Sequence, residues 1–324
     1  MDTESGRRII ELNQQGTRLH LAGRLSKAAD CYRQALAIDP DNATSHNNLG
    51  FLLAQQHQWK EALTHLRRAV ALAPNDGNFL CNLGQVLTEI GLVQDGLDLL
   101  LKSAKLEPRN IRVWQNLGRL YTNQDDPAGA EIAWKQALQQ APHDITVITE
   151  LASAIAMQGR YQEATVLYRE ALEIHPGYAE AWVQLGISLF LLGQYDEARE
   201  VLQKALSLDA ANYSGLRHLG FVFTSLGETE KALESFKTLL NYYPDADSVR
   251  LDLAILLLST SQNEAASEQL AFLYKNNGHN DRIVFYYGLS LYRIDNLSKA
   301  FEIWSALQNS DSVYRSKIDD FAKG

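Results

Sequence analysis

The run Trp114-Gln115-Asn116-Leu117-Gly118-Arg119-Leu120-Tyr121, followed by Ala130-Glu131-Ile132-Ala133-Trp134-Lys135-Gln136-Ala137 and then Pro142, decides the fold. Trp114, Leu117, Gly118 and Tyr121 stand at i, i+3, i+4 and i+7, the apolar stripe of one helix. Ala130, Trp134 and Ala137 repeat that stripe for a second helix, so the segment is a helix pair closed by a proline.

Laid along the rest of the chain, the segment recurs every 34 residues. Six of the seven prolines (Pro40, Pro74, Pro108, Pro142, Pro176 and Pro244) share one phase of that period. Glycines share another (Gly16, Gly50, Gly84, Gly118, Gly186, Gly220 and Gly288), and alanines a third (Ala28, Ala62, Ala130, Ala164, Ala198, Ala232, Ala266 and Ala300). Nine windows fit without an insertion: 9-42, 43-76, 77-110, 111-144, 145-178, 179-212, 213-246, 247-280 and 281-314. Residues 1-8 form a polar N-terminal tail outside this ruler, and 315-324 a C-terminal cap.

Numbering positions in each window as phases 1 to 34, glycine at phase 15 (Gly23, Gly91, Gly159, Gly193, Gly227) suits the left-handed residue that ends a first helix. Proline at phase 32 starts the next helix or stops the last, and Asp126-Pro127 reads as an N-cap and first-turn pair. The small residues at phases 8 and 20 let the two backbones of a pair approach, while Trp114, Trp134, Tyr168, Trp182 and Phe236 fill the gaps between pairs.

This set of phases resembles the tetratricopeptide repeat (TPR) family, whose pattern W-x2-L-G-x2-Y, A-x3-F-x2-A, P is nearly complete in Trp114 through Pro142. The resemblance implies an all-α fold: a right-handed α-solenoid of nine tandem 34-residue helix-turn-helix repeats with a C-terminal capping helix. The sequence departs from the pattern at Ala152 and Ala254 in place of glycine, Gly96 in place of alanine and Ala210 in place of proline. The last two windows lose the proline and carry unusual residues such as Arg250 and Tyr287. Tyr314, Ile318 and Phe321, at i, i+4 and i+7, would let a final short helix cover the last apolar face.

The resemblance further implies that first helices line a concave groove, with phases 2, 5, 6, 9, 12 and 13 pointing into it. Phase 6 then reads Gln14, Asn48, Asn82, Asn116, Glu150 and Gln184, an amide ladder. Each amide carries a donor and an acceptor that can pair with a peptide backbone of any sequence. First helices stack about 10 Å apart and an extended chain rises about 3.3 Å per residue, so one amide meets about every third residue. The TPR superhelix of the O-linked N-acetylglucosamine transferases holds extended polypeptide with a similar ladder, and Asn48, Asn82 and Asn116 match it. Asparagine there is equally consistent with a family residue on a solvated helix face.

Farther along, the groove phases turn apolar: Val183, Ile187, Phe190, Leu191, Phe221, Leu251, Ile255, Leu258, Phe285, Leu289 and Tyr292. Such a set fits a partner site for an amphipathic helix, a contact with another copy through the C-terminal repeats, or plain core. A carboxylate clamp of the kind some TPR co-chaperones use is not expected, because at its phases Asn13, Thr17, Asn48, Asn78 and Asn82 supply no cations.

Composition narrows the function. With 46% hydrophobic and 21% charged residues the chain is a folded protein, and its net charge of −9 argues against nucleic acid as the partner. Two cysteines, Cys31 and Cys81, give neither a disulfide framework nor a zinc site, which suits a reducing, cytoplasmic setting. No apolar stretch reaches the length of a membrane span. Phosphate-binding, dinucleotide and metal motifs do not occur, and His46, His143, His175 and His218 scatter, so no catalytic residue, metal or cofactor is expected. Asp125-Asp126 and Asp319-Asp320 read as caps and solvated faces. The expectation is a non-catalytic protein-protein interaction module whose concave groove takes a polypeptide, serving as adaptor, assembly factor or client chaperone. The alternatives are a self-assembling scaffold and the substrate-recruiting subunit of a multi-chain enzyme such as a glycosyltransferase complex.

Overall fold

The computed structural model describes residues 3-308 and 313-323, and among them there are nineteen α-helices and no strand. The chain divides into two compact units, residues 1-160 and 161-324. In the first, α1 (Thr3–Leu21) pairs with α2 (Leu25–Ile38), α3 (Ala43–Gln55) with α4 (Trp59–Leu72) and α5 (Gly77–Glu89) with α6 (Val93–Leu106). There too α7 (Ile111–Asn123) pairs with α8 (Pro127–Gln140), on which α9 (Ile145–Met157) packs. In the second, α10 (Tyr161–Ile174) packs on α11 (Ala179–Leu191), which pairs with α12 (Tyr195–Leu208). The pairs α13 (Tyr213–Ser225) with α14 (Thr229–Tyr242) and α15 (Asp247–Ser259) with α16 (Asn263–Asn277) follow. Last come α17 (Asp281–Arg293) with α18 (Leu297–Gln308), and α19 (Arg315–Lys323). Helix α1 begins at Thr3, so described residues of the expected polar tail are its opening turns.

The turn inside each pair has one geometry. In the turn after α3 the His57 amide bonds Ala54 O at 2.9 Å and the Gln58 amide bonds Leu53 O at 3.0 Å, the two hydrogen bonds of a Schellman turn. That turn needs one left-handed residue, and phase 15 supplies it in all nine windows. Gly23, Gly91, Gly159, Gly193 and Gly227 have φ from +70 to +87°, and His57, Asp125, Ser261 and Asp295 have φ from +56 to +61°.

Between pairs, the prolines stop a helix and do not start one. Pro74 is the second residue after α4 and stands in the turn, with Asp76 capping α5 by accepting from Phe79 N at 3.0 Å. Asn42, Asn110, Asp144, Asn212 and Asn280 cap the corresponding helices in the same way. Asp126 caps α8 through Gly129 N at 3.0 Å with Pro127 at the first helical position. Several of the proline turns are also tied from the helix that follows: Trp114 Nε1 donates to Pro108 O at 2.8 Å, Trp182 Nε1 to Pro176 O at 2.8 Å. Arg250 takes the same role, donating to Pro244 O at 2.8 Å with its guanidinium 4.3 Å from the Phe272 ring centre. Trp114 and Trp182 are therefore half-buried edge residues, whereas Trp134, Tyr168 and Phe236 are fully enclosed.

Close approach of the paired helices rests on phase 8. A Cβ on Gly50 would stand 2.8 Å from Leu66 Cγ and 3.0 Å from Ala62 O; one on Gly186 would stand 2.6 Å from Leu202 Cγ. Gly118 and Gly288 face the buried indoles of Trp134 and Trp304 more closely still. Each glycine thus admits a large side chain sixteen positions on, whose full burial contributes about 1.5–3 kcal/mol.

At the end of the second unit α19 returns over aromatic residues. Tyr314 stacks on Phe285 at 4.5 Å between ring centres, Phe321 lies 5.4 Å from Trp304 and 5.1 Å from Tyr292, and Ile318 is fully buried. The side chains of Asp319 and Asp320 lie outside the described residues.

Gly220→Ala is expected to destabilise the second unit by about 1–3 kcal/mol, because the added methyl would stand 2.7 Å from the Phe236 ring. Denaturant unfolding followed by circular dichroism measures it, and an unchanged midpoint would show the pair able to separate freely. Ser261→Gly should act in the opposite direction, raising stability by about 0.5–1 kcal/mol, since a left-handed serine costs roughly 1–2 kcal/mol and glycine's own entropy cost offsets only part of that. An upward shift of Tm checks it.

Candidate functional site

Within each unit, neighbouring odd-numbered helices touch: α1 with α3, α3 with α5, α5 with α7, and later α11 with α13 and α15 with α17. Among the described residues no two consecutive even-numbered helices are in comparable contact. The odd helices are the closer-packed inner rank, so they line the inner side of each unit.

The seam between them is made by residues 35 apart, phase 5 of one helix against phase 6 of the next. Asn48 donates to Asn13 Oδ1 at 3.3 Å and Asn82 to Asn47 Oδ1 at 2.8 Å; Asn116 lies 3.3 Å from Cys81 Sγ and 3.4 Å from Gln85 Oε1. Asn13 donates onward to Ser45 Oγ at 2.7 Å. The amide ladder is therefore first a set of ties between helices. Asn82, only 4% exposed, also accepts from Arg112 at 2.8 Å and presents no surface to a ligand, which corrects its assignment as a peptide-binding residue. Asn48 and Asn116 are half-buried with hydrogen-bonding capacity left, and Gln14 is exposed. Gln14 and Asn48 line a pocket of about 550 Å³ with Ile10, Thr17, Arg18 and Thr44. Gln184, half-buried, donates to Glu180 at 2.6 Å.

On the second unit the expected apolar groove divides in two. Val183, Leu251, Leu258, Phe285 and Leu289 are buried in the core: phase 5 faces the adjacent first helix, and Tyr314, just before α19, stacks on Phe285. Tyr292 packs against Phe301, Trp304 and Phe321 under the same cap. What remains half-open is Ile187, Phe190, Phe221 and Ile255, with Leu191 half exposed. Phe190 and Phe221 stack at 6.3 Å, Tyr195 lies 5.7 Å from Phe190, and the Arg217 guanidinium stands 5.4 Å from the Phe221 ring centre. Arg217 is held by Asp252 through Nε at 2.9 Å and Nη2 at 2.6 Å, again a tie spanning 35 residues. Burial pushes the His218 imidazole below its usual pKa, against the opposing pull of the Ser214 carbonyl 2.8 Å from Nδ1.

Sequence reasoning passed over Arg112 and the Arg217–Asp252 pair. The 35-residue spacing would have found the second, and the first stands at phase 2, one of the phases expected to face the groove. Among the described residues no group of three or more His, Cys, Asp or Glu side chains is placed to hold a metal ion, and no helix is long and apolar enough to cross a membrane.

Models of the tetratricopeptide repeat match residues 16-57, 43-76, 116-179, 156-217 and 216-246. The chain belongs to the tetratricopeptide repeat family. No curated protein matches it by sequence. Among solved structures it is similar to PilF of Pseudomonas aeruginosa, with a TM-score of 0.59 at 21% identity over 66% of this chain and 97% of that one. A TPR protein of Parabacteroides merdae superposes with a TM-score of 0.54 at 18% identity, over 78% of this chain and 99% of its own. YrrB, a TPR protein with an unusual peptide-binding site, does so with 0.52 at 20% identity, over 58% and 97%. These likenesses are of fold. A TPR fold of this kind is a protein-interaction module and typically a non-catalytic scaffold.

The seam makes a testable distinction between its amides. Asn82→Ala should destabilise the first unit by about 1–3 kcal/mol by leaving the buried Asn47 oxygen and Arg112 without a partner, while Gln14→Ala should stay within about 0.5 kcal/mol. Equal effects on thermal unfolding would show that the ties carry no stability.

Proposed function

We propose that this TPR chain binds a partner polypeptide on the inner faces of its odd helices, each window acting as one repeat, and works as an adaptor, assembly factor or client chaperone with no chemistry of its own. The observation that carries the reading is the residual capacity of the inner-face amides in the first unit. Asn48 gives one N–H to Asn13 and takes one from Asn47, which leaves a donor and an acceptor side by side, the complement of a peptide group. Asn116 uses its amide nitrogen within the seam, and its oxygen is open among the described contacts. The face of the second unit offers a different surface, in which Ile187, Phe190, Leu191, Phe221 and Ile255 suit apolar side chains of a client. That a TPR protein of the same fold has a peptide-binding site agrees with this. Of the apolar groove residues in the last two windows, Leu251, Leu258, Phe285 and Leu289 are core and Tyr292 packs on Phe321 of α19, leaving Ile255 half-open, which supports the inner faces more than self-assembly through the C-terminal repeats.

Affinity capture from native extract tests the proposal, with wild type compared against Gln14/Asn48/Asn116→Ala and Phe190/Phe221/Ile255→Ser after circular dichroism has shown all three equally helical. Proteins held by wild type and lost from either variant are the expected result. The same proteins on all three would place binding on the outer helices.

A further inference from the structure

Arg112, at the start of α7, is a cation of the first unit's inner face whose direction is fixed. Its Nη2 donates to Asn82 Oδ1 at 2.8 Å, and its guanidinium carbon stands 5.2 Å from the centre of the Phe51 ring. Phe51 belongs to α3 and Asn82 to α5, so the side chain lies back across three first helices. Asn82 is itself immobilised, being 4% exposed and bonded to Asn47. A guanidinium has five N–H donors in one plane, and stacking on a ring leaves the edge of that plane free for the two oxygens of a carboxylate.

Among the described residues no carboxylate is bonded to that edge. Among the described residues Arg112 makes no ion pair. Glu107, at the end of α6, accepts from Asn78 and Asn110, and Glu89 on the inner face accepts from Gln85. Nor does the net charge of −9 repel an acidic ligand here, because residues 1-160 carry 16 basic and 17 acidic side chains and are close to neutral. Arg119, one turn beyond Asn116 on the same face, is a second exposed cation.

We propose that Arg112 reads an acidic side chain, aspartate or glutamate, within an extended polypeptide lying on the inner face of the first unit. This rests on the inner-face reading above and adds the chemistry of the client. Asn48 and Asn116 hold backbone, while Arg112, pre-oriented by Phe51 and Asn82, selects one carboxylate at a fixed register.

The test is selection from a randomised pool of twelve-residue peptides, amidated at the C-terminus so that no terminal carboxylate competes. Wild type, Arg112→Gln and Arg112→Lys are used as baits, each checked for wild-type helicity. Wild type should enrich Asp or Glu about ten-fold at one position. Arg112→Gln should still select peptides but lose that preference, and Arg112→Lys, which keeps the charge without the planar fork, should retain it only weakly. Peptides selected by wild type with no acidic position, or with one that survives Arg112→Gln, would overturn the proposal and leave the inner-face reading standing. Enrichment that returns only when the C-terminus is left free would overturn it in favour of a terminal carboxylate. A wild-type bait that selects nothing would remove both readings.

Discussion

Everything else in the structure depends on a contact that has no room for a Cβ. At Gly50 the methyl of an alanine would press on a leucine side chain and on the Ala62 carbonyl of the partner helix, and at Gly220 on the Phe236 ring. Removing that one atom lets the largest side chains of the second helices, Trp134 and Trp304 among them, lie flat against a first-helix backbone. The depth of that contact fixes the register of each pair. The Schellman turn then fixes its direction, because a helix closed by a left-handed residue two positions before the next begins folds back on itself.

Pairs built this way are wedges. Among the described residues their first helices approach one another more closely than their second helices, which meet at the surface through pairs such as Arg169 with Glu197, so the seam between odd helices is the part where polar groups must be matched. The matches follow a rule of 35 residues: Asn13 with Asn48, Asn47 with Asn82, Cys81 with Asn116, Arg217 with Asp252. The same two phases can be filled by amides, by a thiol and an amide, or by an ion pair. They are filled by complementarity across the seam and not by residue type.

The sequence shows the helix pairs and most of their punctuation. A strict period carries glycine, alanine and proline at fixed phases, each demanded by a backbone feature that tolerates few substitutes. Where the feature tolerates others, the period hides it: His57, Asp125, Ser261 and Asp295 adopt the left-handed turn that glycine marks elsewhere, and the capping Asn and Asp at phase 34 vary too freely to catch the eye. The binding face is less legible, for a geometric reason. Helical periodicity tells which side of a helix a residue is on, but phases 5 and 6 sit where that side turns into the neighbouring helix. Val183, Leu251 and Phe285 therefore read as groove and are core, and Asn82 reads as ligand-binding and is structural. Tyr292 fails differently, because the helix that covers it is remote in sequence and no phase announces its path.

The two units also divide cohesion and recognition differently. In the first, the seam amides bond to each other and still have a donor or acceptor to offer, so a ligand held by Asn48 would act on a residue that joins α3 to α1. Binding there would stiffen the unit as it formed, since each ligand bond orders an amide whose other bond is a tie between helices. In the second, the ties are made by buried apolar residues and by Arg217 with Asp252, while the open positions are Ile187, Phe190, Phe221 and Ile255. There the open residues also join helices, Phe190 of α11 stacking on Phe221 of α13, but they do so by apolar contact that a different side chain can make, while the seam amides of the first unit need a matching donor or acceptor.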